Sequence, residues 1–409
     1  MKDQQTLKEI FSGYVREEAK IFKNKDILTE KHIPEKIPHR QEQINQIGKI
    51  LAPSINGEKV SNVFIYGSTG TGKSVCVRHV ANELENITKN VKILYLNCKM
   101  KRVSDTEYRL VAELTRMLGK EIPSTGLPTE EVYKAFYNII NQNKTNIILV
   151  LDEIDALVKK IGDDILYTLT RINQELEAKL SIVGISNDIS FTDNLDPRVK
   201  SSLSEEEIVF QPYDAKQLQD ILTERANLAF SEPIDNPVIQ KCAALAAQEH
   251  GDARRALDLL RIAGELVERD GHKKITTDHV DKAEDKLDLD RIVEVVKYQP
   301  KQSQAVLASI IRLVESDNKN IQTGDIFSVY ERICASRGLK ILTQRRVSDL
   351  VAELDMLGVI NARVISKGRY GRTREIRLLL NKQVLEKVKR LLKENYLLTD
   401  KLFLDVKGG

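Results

Sequence analysis

The sequence predicts an α/β chain in three parts: a mostly parallel sheet with helices on both faces over residues 1–210, a small all-α domain over 211–295, and a winged helix over 296–409. Three observations predict it. Apolar, β-branched runs alternate with helical patterns as far as Phe210; strand signals then stop while amphipathic helices follow one another; and beyond Pro300 three helical patterns precede two short β runs joined by a basic turn.

The five apolar runs are 63–66, 91–96, 147–151, 180–185 and 208–210. Short and uninterrupted, they read as parallel strands covered on both faces, a sheet whose ligands sit at the carboxyl ends of its strands. The stretch between Asn97 and Asn146 is longer than one crossover helix requires, and 107–118 and 130–141 read as two helices within it. In the second part 215–229, 236–249, 252–270 and 277–287 have helical periodicity. In the third, helices are expected over 303–315, 325–336 and 344–357, then β runs over 359–366 and 375–380 joined by the basic segment 367–374.

Composition narrows the functional classes. The chain has 409 residues, 30% charged and 41% hydrophobic, a balance suited to globular domains. No apolar run approaches the ~20 residues of a membrane span, and the polar opening Met1-Lys2-Asp3-Gln4-Gln5 lacks a secretory core, so a cytoplasmic, nucleoid-associated protein without a membrane partner is expected. Four cysteines lie far apart without C-x-x-C and read as reduced core residues; six scattered histidines lack metal-ligand spacing. The net charge of +3 hides an asymmetry: from Lys301 onward 21 Lys and Arg face 12 Asp and Glu, leaving the first 300 residues net acidic. A basic C-terminal module on an acidic body suggests an anionic partner, with nucleic acid the leading candidate.

Gly67-Ser68-Thr69-Gly70-Thr71-Gly72-Lys73-Ser74 is a complete P-loop, placed between the first strand and a helix starting near Val75. Its glycines let backbone N–H groups turn toward a phosphate, Lys73 reaches the β- and γ-phosphates, and Ser74 is a Mg²⁺ ligand, so ATP or ADP with Mg²⁺ is the expected cofactor. The strand at 147–151 ends in Asp152 and Glu153. Asp152 is expected to order Mg²⁺ and its water shell, Glu153 to orient or deprotonate an attacking water, and Asp155 to cap the next helix. The strand at 180–185 leads into Ser186-Asn187-Asp188, placing the Asn187 amide at the same sheet edge.

Together these residues resemble an AAA+ ATPase, and the fuller set resembles the archaeal origin-recognition and replication-initiator family, the Orc/Cdc class. The likeness runs from about Ile27 to Leu380 through Pro38-His39-Arg40-Gln41-Glu42-Gln43, the P-loop, Leu151-Asp152-Glu153-Ile154-Asp155, Ile185-Ser186-Asn187-Asp188, the segment 195–202 and Gly251-Asp252-Ala253-Arg254-Arg255-Ala256-Leu257. The resemblance implies that Pro38, His39 and Arg40 pack on adenine, that Arg198 is an arginine finger offered to a neighbouring subunit, and that Arg254 is the second sensor of a helical lid, with Arg255 the adjacent alternative. It further implies that the 97–146 insertion touches DNA, where Lys120, Ser124 and Thr125 are the available contacts.

The helix at 344–357 turns Val347, Leu350, Val351, Leu354 and Leu357 to one face and leaves Gln344, Arg345 and Arg346 at its exposed start, a recognition-helix layout in which Thr343 caps the helix and can meet a phosphate. Lys367, Arg369, Tyr370, Arg372 and Arg374 form the basic turn, expected to track phosphates or enter the minor groove.

The combined expectation is an ATP-regulated initiator that binds duplex DNA at replication origins. By resemblance it helps recruit or load the replicative helicase beside other initiator subunits, with slow hydrolysis as the switch. The alternatives are an AAA+ motor of the branch-migration type and a nucleotide-stabilised winged-helix transcriptional regulator.

Overall fold

The computed structural model describes residues 21–30, 32–100, 105–123, 126–143, 146–174, 179–203, 205–316, 321–366, 372–380, 382–395 and 397–398. The chain divides into two compact units, 1–283 and 284–409.

In the first unit, β1 (Val63–Tyr66), β2 (Val91–Asn97), β3 (Asn146–Asp152), β4 (Leu180–Ser186) and β5 (Glu206–Val209) form one parallel sheet in the order β2-β3-β4-β1-β5. Every residue of β3 and β4 is buried, the reason these strands read as continuous apolar runs rather than alternating ones. Successive side chains serve opposite cores. Phe64, Leu149, Leu151 and Ile182 pack under α3 (Glu107–Met117), α4 (Thr129–Asn143), α5 (Ile154–Ile161) and α6 (Asp164–Arg171), whereas Val63, Ile65, Val150 and Val183 pack under α1 (Gln41–Leu51) and α2 (Lys73–Ile87). The long β2–β3 connection is thus occupied by a helix pair whose Leu110, Leu114, Val132 and Phe136 are fully buried. A short α7 (Pro197–Leu203) precedes β5. All four cysteines are buried as free thiols.

Four helices follow: α8 (Ala215–Ala229), α9 (Asn236–Gln248), α10 (Ala253–Asp270) and α11 (Thr277–Tyr298). The last continues well past the end expected near 287, because Leu289 and Val296 supply a further buried stripe, and the division between the two units falls within it. That division lies upstream of the boundary expected at 295/296.

The second unit contains α12 (Lys301–Glu315), β6 (Ile321–Gln322), α13 (Thr323–Arg337), α14 (Gln344–Met356), β7 (Ile360–Ser366), β8 (Arg372–Leu378) and α15 (Lys382–Glu394). Two features depart from expectation. The β7–β8 ladder extends to the pair Ser366–Arg372, so Arg372 and Arg374, expected in the basic turn, belong to a strand. The C-terminal segment, which carries no motif, forms α15 and inserts Val384, Val388 and Leu392 into the core around α12. Among the described residues, no helix is long and apolar enough to cross a membrane.

Candidate functional site

The in-register parallel strands deliver their chemistry to one edge. Tyr66 lies opposite Ser186, and Asp152 lies between Asn97 and Ile185, so the P-loop, Asn97, Asp152 and Asn187 all follow or end strands at the same level. Within the loop Gly70 has φ 70°, a left-handed conformation open to glycine, and a Cβ there would sit 1.7 Å from Asp252 Oδ1. The Ala253 N–H donates to Gly70 O at 3.1 Å, which fixes the loop against the start of α10. Lys73, 5% exposed, donates from Nζ to Gly67 O at 2.7 Å and Ser68 O at 2.6 Å. Burial, reinforced by the Arg254 charge and opposed by Asp152, Asp252 and Asp155, lowers its pKa to about 8.

Asp152 is buried, and Tyr95 donates its hydroxyl proton to Asp152 Oδ2. Burial and this carboxylate hold the Tyr95 hydroxyl above its ordinary pKa, and the Arg78 guanidinium lies 4.2 Å from the Tyr95 ring centre. Sequence reading missed both residues. The signal for Tyr95 was its position two residues before Asn97, on the same face of β2 and beside the strand that carries Asp152. Glu153 follows with φ 57°, a conformation a side-chain-bearing residue adopts at some cost, and its carboxylate pairs with Lys99 at 3.3 Å. Glu153 occupies the N-cap position of α5. Asp155, expected to be the cap, lies instead in the first turn, where it accepts a hydrogen bond from Ser186 Oγ at 3.0 Å.

A cavity of about 780 Å³ joins these groups. Its lining includes P-loop residues Gly70 to Val75, then Asp152, Glu153, Asn187 and Arg254, with apolar side chains from Leu28, Ile33, Ile37, Pro38 and Leu257. That size and lining suit a small molecule with a planar apolar part and an anionic tail. Lys73, the P-loop N–H groups and Arg254 give this lining the positive character that suits phosphates, and the Ser74 hydroxyl and Asp152 carboxylate are hard oxygen donors of the kind that suits Mg²⁺.

Arg254 and Arg255, left open in the sequence, separate here. Arg254 lines the cavity, with Nε 3.4 Å from Glu30, whereas Arg255 turns to Glu249 at 3.1 Å. Of the three residues implied for adenine, only Pro38 lines the cavity. The His39 imidazole bonds Asp220 at 2.9 Å, and Arg40 is buried, donating to Thr71 O at 2.9 Å and to Gln211 O at 2.5 Å while stacking 3.9 Å over Tyr213. Arg40 therefore braces the P-loop from behind. Arg198 stands outside this cavity, its side chain 66% exposed, forked onto Asp196 by two bonds of 3.0 Å.

In the second unit, Thr343 Oγ1 accepts the Arg346 N–H at 3.4 Å and caps α14 as expected. Gln344, Arg345 and Arg346 are exposed. Arg346 is shared between Glu353 at 3.5 Å and Asp349 at 3.8 Å, while Arg345 makes no ion pair with any described residue. Arg374, expected in the basic turn, donates to Ser348 O at 3.0 Å and pins β8 to α14. Arg372 opens β8; Lys367, Arg369 and Tyr370 lie outside the described residues, as do Ser124 and Thr125, and Lys120 is exposed just after α3.

Comparison with known proteins agrees with this layout. Residues 58–188 match the AAA domain family, 219–285 the Cdc6 AAA+ ATPase-type lid domain and 294–388 the CDC6 C-terminal winged helix domain. The chain is 53% identical to an ORC1-type DNA replication protein of Thermococcus onnurineus, over 92% of each chain. It is 50% identical to that of Pyrococcus furiosus, over 98% of this chain and 96% of the relative. Among solved structures, that of the Aeropyrum pernix ORC1 protein in complex with DNA is similar at a TM-score of 0.79 and 43% identity, covering 92% of this chain and 98% of that one.

Proposed function

From the premise that this chain belongs to the ORC1-type family of DNA replication proteins, we propose that it is an initiator that binds duplex DNA at replication origins and uses ATP as a slow switch. The observation that carries the reading is the single cavity shared by Lys73, Asp152, Glu153, Asn187 and the α10 residue Arg254. A nucleotide gripped there touches both the sheet and the helical lid, so its phosphate content sets the angle between them.

In this reading Lys73 and the P-loop N–H groups hold the β- and γ-phosphates, and Ser74 and Asp152 hold Mg²⁺, which when bound neutralises charge on the phosphates. Glu153 accepts a proton from the water that attacks the γ-phosphorus. Asn187 orients that water, and Arg254 faces the negative charge that develops as the bond to the β-phosphate oxygen breaks. Arg198 lies outside its own chain's cavity and acts on a neighbouring initiator subunit's nucleotide, exchanging Asp196 for phosphate. Turnover by an isolated subunit is therefore slow. Adenine packs against the apolar lining that includes Pro38, while His39 and Arg40 hold the segment in place.

DNA is met by the start of α14, through Thr343, Gln344, Arg345 and Arg346, and by the wing, where Lys367, Arg369, Tyr370 and Arg372 supply further contacts; Lys120 with Ser124 and Thr125 adds a contact from the ATPase domain. Four to six neutralised phosphates give a log–log salt slope of about −4 to −5. Recruitment of the replicative helicase completes the proposal.

The test is genome-wide mapping of bound DNA for the wild type and Lys73→Ala. ATP-dependent occupancy of origins, lost in the variant, is expected. Occupancy of promoters or DNA junctions, or origin binding indifferent to Lys73, refutes the proposal.

A further inference from the structure

The far end of α10 and the start of α11 bring together three side chains that take no part in the cavity above. Asp270 ends α10; Gly271 reverses the chain at φ 69°; His272 follows; and His279 lies in the first turn of α11. One carboxylate oxygen of Asp270 and one ring nitrogen from each histidine lie within 4.8 Å of one another. The two imidazoles meet edge to face at 61°, with centroids 5.7 Å apart.

That spacing is close to what a shared metal demands. Two imidazoles on one tetrahedral zinc, with bonds of ~2.0–2.1 Å, have ring centres about 5 Å apart and donor atoms about 3.4 Å apart. Asp270 and His272 are exposed, so rotation of these two side chains closes the difference. His279 is the fixed member: it is buried, its Nδ1 accepts the Thr276 N–H at 3.2 Å, and Thr276 Oγ1 lies 2.7 Å from the same nitrogen. A metal on Nε2 leaves the ring proton on Nδ1, where it donates to Thr276 Oγ1, and the Thr276 N–H gives up its contact with Nδ1. An outer hydrogen bond of this type is the usual support of a metal-bound histidine.

We propose that Asp270, His272 and His279 form a zinc site, open to solvent at its fourth position, that staples the turn between α10 and α11. Two imidazoles out of three donors favour zinc over magnesium, and the site is separate from the hard-oxygen pair Ser74 and Asp152. No linear motif announces it, because the ligands come from the end of one helix, the turn and the start of the next.

The experiment uses the full chain, stripped with a chelator and kept in excess Mg²⁺, titrated with Zn²⁺ by calorimetry and with Co²⁺ by visible absorption. One micromolar equivalent is expected, with the intense absorption of four-coordinate Co²⁺ and a thermal midpoint that rises with Zn²⁺. His272→Ala and Asp270→Asn, both at exposed positions, weaken binding at least about tenfold and remove the thermal shift. Lys73→Ala keeps both, which separates this site from the nucleotide cavity. Failure of the wild type to saturate, or identical titrations for wild type and His272→Ala, overturns the proposal.

Discussion

Lys73 makes the coupling between burial and phosphate binding measurable. In the free protein its pKa is about 8, mainly because the ammonium is buried, with Arg254 adding to the effect. A bound polyphosphate brings negative charge to the ammonium and restores the pKa to its ordinary value of 10.5 or above. Binding therefore takes up about half a proton at pH 8, about 0.9 at pH 9 and almost none at pH 6.5. Correspondingly, the nucleotide Kd rises about fivefold between pH 8 and pH 9. Calorimetric titrations with MgADP in buffers of different ionisation enthalpy read the proton count directly. Lys73→Arg, which stays charged throughout, serves as the flat control. The same shift bears on folding with a definite sign: because the folded pKa lies below the unfolded one, the group destabilises the fold fully below about pH 8, and that cost recedes as pH rises toward 10.5. A wild-type Kd that does not change from pH 8 to 9, with heats independent of buffer, shows that Lys73 is a full cation before nucleotide arrives and refutes the reasoning.

Other expectations follow from particular contacts. Tyr95→Phe keeps the ring beside Arg78 but removes the donor to Asp152; fluorescent-nucleotide titrations over a range of Mg²⁺ should show the metal-dependent part of affinity weakened about tenfold and the metal-free part unchanged. Leu392→Ala opens a hole in the core of the second unit, where Leu392 is fully buried; denaturant melts should register a loss of about 2–5 kcal/mol, against none if α15 is dispensable. Arg345→Ala should cost about 1–3 kcal/mol of duplex binding and relax discrimination at one base pair, whereas Arg346→Ala should cost less, since Glu353 and Asp349 already share its charge. Competition assays with base-substituted duplexes separate the two.

Much of this molecule is written in local pattern. A P-loop between a strand and a helix, a buried strand ending in two carboxylates, and a helix opening with Thr343 and a run of polar residues are contiguous signals, and each depends on backbone geometry that a few neighbouring residues impose. The two central strands β3 and β4 were legible for the same reason, since burial on both faces leaves no exposed position to blur the run. Side-chain direction and long-range pairing were not. Arg254 reaches the cavity and Arg255 turns to Glu249 because adjacent helical positions point about 100° apart, a choice made only when α10 docks on the P-loop. Arg40 and Arg374 read as ligand-facing charges, yet each spends its guanidinium on backbone carbonyls of its own chain, at Thr71 and Ser348. Tyr95 beside Asp152, α15 in the second core, and Asp270 gathered with two histidines likewise depend on residues far apart or differently oriented along the chain. Sequence determined which chemistry the chain carries and where along it; packing, which alone decides which way each side chain faces, determined which of those groups meet.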